Sequence, residues 1–194
     1  IASCLVGSEM CIRDRYSDVQ PFIKEDVQQT FIKQYKMLRH KLLTLLDTPV
    51  KTTHHIGGTS HFNYPTEPIL DVLVGVDDLH DITALDEKRL NYQGFYRLHH
   101  PYHKKVVMAQ FNNLIDLKQI ARLHIVQIDS QLYNDYLKTN YYLTINASSA
   151  THFGKQKYNL ATDTAPIREY ENQKQLLFKQ LLREINKDLS NTHH

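Results

Sequence analysis

Ile69-Leu70-Asp71-Val72-Leu73-Val74-Gly75-Val76 is a nearly continuous apolar run with one acid inside it. Its length and β-branched content read as a strand buried on both faces, so the chain must place structure above and below it. An acid in such a strand is expensive to bury unless a metal or a hydrogen-bond donor meets it. Just upstream, His54-His55-Ile56 runs into Gly57-Gly58-Thr59-Ser60. Paired glycines with adjacent hydroxyls let a backbone approach an anion and offer donors to it. The same four residues also suit a tight strand-to-loop turn, with glycine supplying positive φ and the hydroxyls satisfying the backbone. Side by side, the two elements would set a phosphate cradle next to a carboxylate, the minimal kit for a nucleoside triphosphate with a divalent metal.

The rest of the chain supplies the layers. Ser17 or Asp18 is placed to cap a helix to about Leu46, with Val27, Phe31, Tyr35, Leu38, Leu42 and Leu45 on one apolar face. Val50–Ile56 reads as a strand. Asp77 or Asp78 caps a helix through about Leu90, and Gly94–Leu98, Lys105–Phe111 and Ala121–Ile128 read as strands. The pattern is then helical over Gln131–Tyr142, Phe153–Leu160 and Pro166–Leu189, the last with Thr164 as its cap. This order predicts an α+β domain with a mixed sheet and a helical C-terminal part.

Composition narrows the partners. The chain has 194 residues, and a net charge of +2 implies no broad field for a polyanion, so no nucleic acid is expected. No apolar run reaches the length of a membrane span, and a cytoplasmic protein is expected. Leu5-Val6-Gly7-Ser8-Glu9-Met10-Cys11-Ile12-Arg13-Asp14-Arg15 looks like the translation of a transposase sequencing adapter. A signal peptide is the rival, but the segment lacks a basic start and Glu9 interrupts its short apolar core. Residues 1–15 are therefore expected to be disordered, 16–189 to form one domain, and 190–194 to be a tail. Both cysteines, Cys4 and Cys11, fall in the first segment, so from Tyr16 onward a disulfide, a thiolate zinc site and a cysteine nucleophile are excluded. Zinc held by histidines alone is not expected. The densest cluster, His99-His100-Pro101-Tyr102-His103, has neighbours that point apart.

His55-Ile56-Gly57-Gly58-Thr59-Ser60 and Pro68-Ile69-Leu70-Asp71-Val72-Leu73-Val74 together resemble the GrpB family, a poorly characterised bacterial group with a nucleotidyltransferase-like fold. Two later stretches are similar to further family signatures, Leu123-His124-Ile125-Val126 and Tyr133-Asn134-Asp135-Tyr136-Leu137-Lys138. The resemblance implies a nucleotidyltransferase-like mixed sheet flanked by helices. It implies phosphate binding by His55, Gly57, Gly58, Thr59, Ser60, Lys105, Lys157 and Lys174, with Lys138 a further candidate. It also implies a magnesium ion on Asp71 with help from Asp129, and catalytic roles for Asp71 and His124; a neutral imidazole at His55 or His124 could bind a phosphate, act as a base or order a neighbouring acid. Each lysine can equally belong to a solvated helix face, and each histidine can be a satisfied core residue.

Departures from the family pattern qualify the chemistry. The second acid expected on the Asp71 strand is Leu73, and Gln127 stands where many relatives carry Glu. The lysine expected before Pro68 is Glu67, which repels a phosphate unless it serves a metal. Three functions follow. One is metal-dependent nucleotidyl transfer. Another is non-catalytic binding of a nucleoside triphosphate or a coenzyme A-related molecule, the latter because some relatives are fused to dephospho-coenzyme A kinase. The third is a protein-interaction module on the same scaffold.

Overall fold

The strand Leu70–Val76 (β2) lies inside a five-stranded sheet and is covered on both faces. The computed structural model describes residues 19–81, 84–98, 104–113, 115–163 and 167–191. Residues 1–18, 99–103, Thr164, Pro166 and 192–194, all invoked above, lie outside the described residues. The order is α1 (Thr30–Thr44), β1 (Val50–Ile56), β2, α2 (Ala84–Tyr92), β3 (Phe95–Arg97), β4 (Lys105–Phe111), β5 (Gln119–Gln127), α3 (Gln131–Ile145), α4 (Ala147–Asp163) and α5 (Ile167–Asn191). In the sheet the strands run β1-β2-β5-β4-β3. Only β2 and β5 pair in parallel; the other neighbours are antiparallel. The architecture is the expected α+β one, a mixed sheet with a helical C-terminal part.

Alternation along β2 divides the molecule into two layers. Leu70, Val72, Val74 and Val76 join Leu123, Ile125, Met108 and Phe95 on one face, where Phe31 and Leu42 of α1 and Leu90 of α2 cover them. On the other face, Leu73 packs with Ile56, Val126 and Tyr133 beneath α3. Val72, Leu73 and Val74 are fully buried, and each such side chain stabilises the fold by about 1.5–3 kcal/mol. Asp71 belongs to this second face. A separate cluster of Tyr64, Phe153, Leu177, Leu181 and Ile185 packs α4 and α5 together over the β1–β2 loop.

The first helix begins later than its sequence suggests. Ile23 forms a two-bond bridge with Thr66, and Gln29 is left-handed at φ 54°, so the helix starts at Thr30. The Asp26 carboxylate accepts the Phe31 N–H at 2.8 Å and acts as the cap. Val27, expected inward, is 80% exposed. Asp78 accepts the His80 N–H in a short turn, and α2 starts only at Ala84. Helix α4 runs from Ala147, six residues earlier than expected.

Candidate functional site

Strand parity brings Asp71 and His124 together. Asp71 stands opposite Arg122 on β5, and His124 is two residues further on the same face. His124 Nε2 lies 2.9 Å from Asp71 Oδ1. A carboxylate only accepts, so Nε2–H donates and the lone pair stays on Nδ1, which is buried with no partner among the described residues. Burial alone would raise the Asp71 pKa, but the His124 hydrogen bond and the charge of Arg122 outweigh it and hold the carboxyl well below the usual range. Burial lowers the His124 pKa against the pull of Asp71, so the ring is neutral at pH 7. Gly57, at φ +77°, closes the other side: a Cβ there would sit 3.4 Å from Asp71 Oδ2.

Around this pair lies a network of charges between the sheet and the C-terminal helices. Glu67, only 5% exposed, faces three cations: Arg122 at 3.7 Å, and Lys157 and Lys174 at 3.6 Å each. Tyr170 of α5 donates its hydroxyl to the same carboxylate at 3.0 Å. Burial opposes ionisation of Glu67, yet Lys174, Lys157 and Arg122 pull its pKa down to about 2. Glu171 pairs with Lys174 at 2.8 Å and Arg122 at 3.5 Å. Lys105 of β4 donates to the Tyr136 hydroxyl at 2.9 Å, and burial lowers its pKa to about 8. Among the described residues, Lys105, Arg122, Lys157 and Lys174 thus stand among Glu67, Asp71 and Glu171, four cations to three carboxylates with His124 neutral. The side chains of Asp71, Glu171 and Lys174 remain 20–26% exposed, so this network opens to solvent as a recess.

The remaining candidates separate into those this recess gathers and those it does not. Thr59 is buried; its hydroxyl donates to the Ile69 carbonyl and contacts His55 Nε2. Ser60 donates to the Gly57 carbonyl at 2.7 Å, and Asn140 of α3 accepts the Gly57 N–H. Both hydroxyls therefore serve the turn. Gly58 packs edge-on against Thr66, where a Cβ would fall 2.5 Å from the Thr66 Cβ. His55 has the opposite strand parity from Asp71. It stacks on Tyr35 of α1 at 5.3 Å, and burial lowers its pKa to about 4. Lys157 is enclosed by Thr66, Glu67 and the rings of Phe22 and Tyr64, whereas Lys174 and Lys105 reach the recess. Lys138 bonds Asn186 on the outer surface of α3 and α5. Asp129 corrects an expectation. It follows Gln127 at the far end of β5, paired with Val76 rather than Asp71, so five strand positions, about 17 Å, separate the two ends. Arg122, Tyr170 and Glu171 were not foreseen.

Comparison with known proteins follows from this geometry. The sequence pattern of the GrpB protein family matches residues 23–184. The glutamate-rich protein GrpB of Alkalihalophilus pseudofirmus is 30% identical over 168 residues, which span 83% of this chain and 96% of that protein. This chain belongs to the GrpB family. The crystal structure of GrpB from Enterococcus faecalis aligns at a TM-score of 0.71 and 23% identity, over 87% of this chain and 99% of the other, and shares its fold. The Cid1 poly(U) polymerase bound to MgATP aligns at 0.42 and 13% identity, and this chain spans 49% of it.

The residues of this GrpB-family recess do not fit the divalent metal implied by sequence resemblance. Among the described residues, no group of three His, Cys, Asp or Glu side chains is arranged to hold an ion. One Asp71 oxygen is held by His124, and both Glu67 oxygens already face cations or Tyr170. A divalent ion about 5 Å from one of these cations meets a repulsion of about 7 kcal/mol at an effective dielectric of about 20. A cavity of about 210 Å³ lies elsewhere, between α4 and α5, lined by Ser149, His152, Gln156, Gln180 and Glu184.

Proposed function

We propose that this protein binds a phosphate-bearing small molecule, a nucleotide or a coenzyme A-related metabolite, in the recess between β2, β5 and α5. The observation that carries this reading is the excess of cations around Asp71, with Lys174 and Lys105 at the solvent side of Arg122. A phosphate brings negative charge to this cluster of cations and accepts several charge-assisted hydrogen bonds at once. The Tyr136 ring, 5.6 Å from His124 and 5.3 Å from Phe178, gives an aromatic border against which a base can lie. The same reading places the protein in the cytoplasm with its ligand. No described helix is long and apolar enough to cross a membrane.

Nucleotidyl transfer by two metal ions is not part of this proposal. Leu73 fills the second acid position and is fully buried, and Gln127 and Asp129 belong to the far end of β5. His124 orders the single acid and remains neutral. Calorimetric titration with each nucleoside triphosphate, with pyrophosphate and with coenzyme A tests binding. Saturable heat from at least one of them supports the reading, together with no release of pyrophosphate from the triphosphates. Absence of binding by all of them removes it and leaves the interaction module.

A further inference from the structure

We infer that the recess takes its phosphate ligand without a divalent metal, with Lys174, Lys105 and Arg122 doing what a metal ion does elsewhere. This rests on the phosphate-binding reading above and adds the form of the ligand: a phosphate anion not complexed to magnesium.

Each carboxylate near the recess has at least one oxygen already held, and Glu67 has both. Asp71 Oδ1 takes the His124 proton at 2.9 Å, and its Oδ2 lies against the Gly57 turn. Glu67 Oε1 faces Arg122, and its Oε2 faces Lys157, Lys174 and the Tyr170 hydroxyl. Glu171 Oε1 is shared by Lys174 and Arg122. A divalent ion on Asp71 Oδ2 or Glu171 Oε2, the oxygens left over, would stand beside Arg122 and Lys174 and be repelled by both. A phosphate oxygen meets no such repulsion from them. It can approach the partly exposed Lys174 and Lys105 directly, with Arg122 behind them, and the guanidinium offers a planar set of donors. Magnesium would work against such a site in a second way. It coordinates the same phosphate oxygens in solution and neutralises the charge the lysines attract.

The test is titration of pyrophosphate and of ATP into the full chain, once with EDTA and once with excess magnesium chloride. The inference expects binding in EDTA at least as tight as in magnesium. Lys174→Gln should weaken the EDTA titration about tenfold, while Lys138→Gln, on the outer helix surface, leaves it unchanged. Binding that appears only with magnesium, or is about tenfold tighter with it, overturns the inference and leaves the phosphate reading standing. Absence of binding under both conditions, by pyrophosphate, each nucleoside triphosphate and coenzyme A alike, overturns the phosphate reading itself. The decisive comparison uses only the unaltered protein, so a poorly folded variant does not obscure it.

Discussion

Asp71 on β2 and His124 on β5 share one proton-bearing contact, with His124 Nε2 2.9 Å from Asp71 Oδ1. The two strands are parallel neighbours, and the pair is set by register rather than by a loop. That contact fixes the imidazole tautomer and keeps one carboxylate oxygen away from any ion, so the chemistry of the recess passes to its cations.

Glu67→Gln should cost about 3–5 kcal/mol of stability, because it leaves Arg122 and Lys157 buried without their shared counter-charge. Urea denaturation of the wild type and the variant measures it. A loss below about 1 kcal/mol would mean that the ion network is relaxed by solvent.

Leu73→Asp, the change that would supply the family's second acid, should unfold the protein rather than build a metal site. Leu73 is fully buried against Ile56, Val126 and Tyr133. The variant loses the transfer energy of the leucine and buries a carboxylate in an apolar cluster, so its destabilisation should exceed that of Leu73→Ala, itself about 2–5 kcal/mol. Thermal unfolding of the two variants ranks them.

Acid should weaken the fold in two stages. His55 and His61 are held to pKa values of about 4 by burial, below the ordinary 6.5. Their folded pKa lies below the unfolded one, so the stability that depends on neutral rings is full above pH 6.5 and is lost as pH falls toward 4. Glu67, depressed from 4.5 to about 2, adds a second loss between those values. Denaturation midpoints at a series of pH values should show the first stage shrink in His55→Gln. An unchanged profile in that variant would contradict the assignment.

Phosphate binding should weaken as pH rises through about 8. Burial lowers the Lys105 pKa to that value; Glu171 and Asp71 raise it, and Lys174 and Arg122 lower it further. An anion attracts only the ammonium form, so affinity falls as Lys105 deprotonates. In Lys105→Met the affinity between pH 7 and 9 should be flat. A wild-type affinity constant across that range would show that Lys105 does not face the ligand.

Parts of this arrangement were legible in the residues, for reasons that can be named. Strands β1 and β4 begin and end where expected, because β1 runs between Pro49 and a glycine turn and the apolar run of β4 stops at Asn112. Asp71 stood out because an acid in an apolar strand requires a partner. The same argument applies to Arg122, an arginine within Ala121-Arg122-Leu123-His124-Ile125-Val126, and would have found it. His55 was misassigned by a single residue of parity: His54, not His55, lies on the Asp71 face, where it contacts the Tyr133 hydroxyl. Glu171 and Tyr170 left no signal, since a glutamate and a tyrosine on an amphipathic helix read as its solvated face. Their place in the network depends on how α5 crosses the β1–β2 loop. Asp129 is two positions beyond Gln127 and shares its parity, but the register of β2 with β5 sets Asp71 against Arg122 and the Gln127 end against Val76, so parity alone does not bring the two acids together.

The most direct measurement is the affinity of Asp71→Asn for pyrophosphate in EDTA and in magnesium. If the cations hold the ligand, removing one carboxylate from their midst raises the local positive charge. Binding in EDTA then stays equal to wild type or tightens, with magnesium bringing no gain. Loss of binding in Asp71→Asn, together with magnesium-dependent binding in the wild type, would show that Asp71 holds a metal ion and would contradict the account.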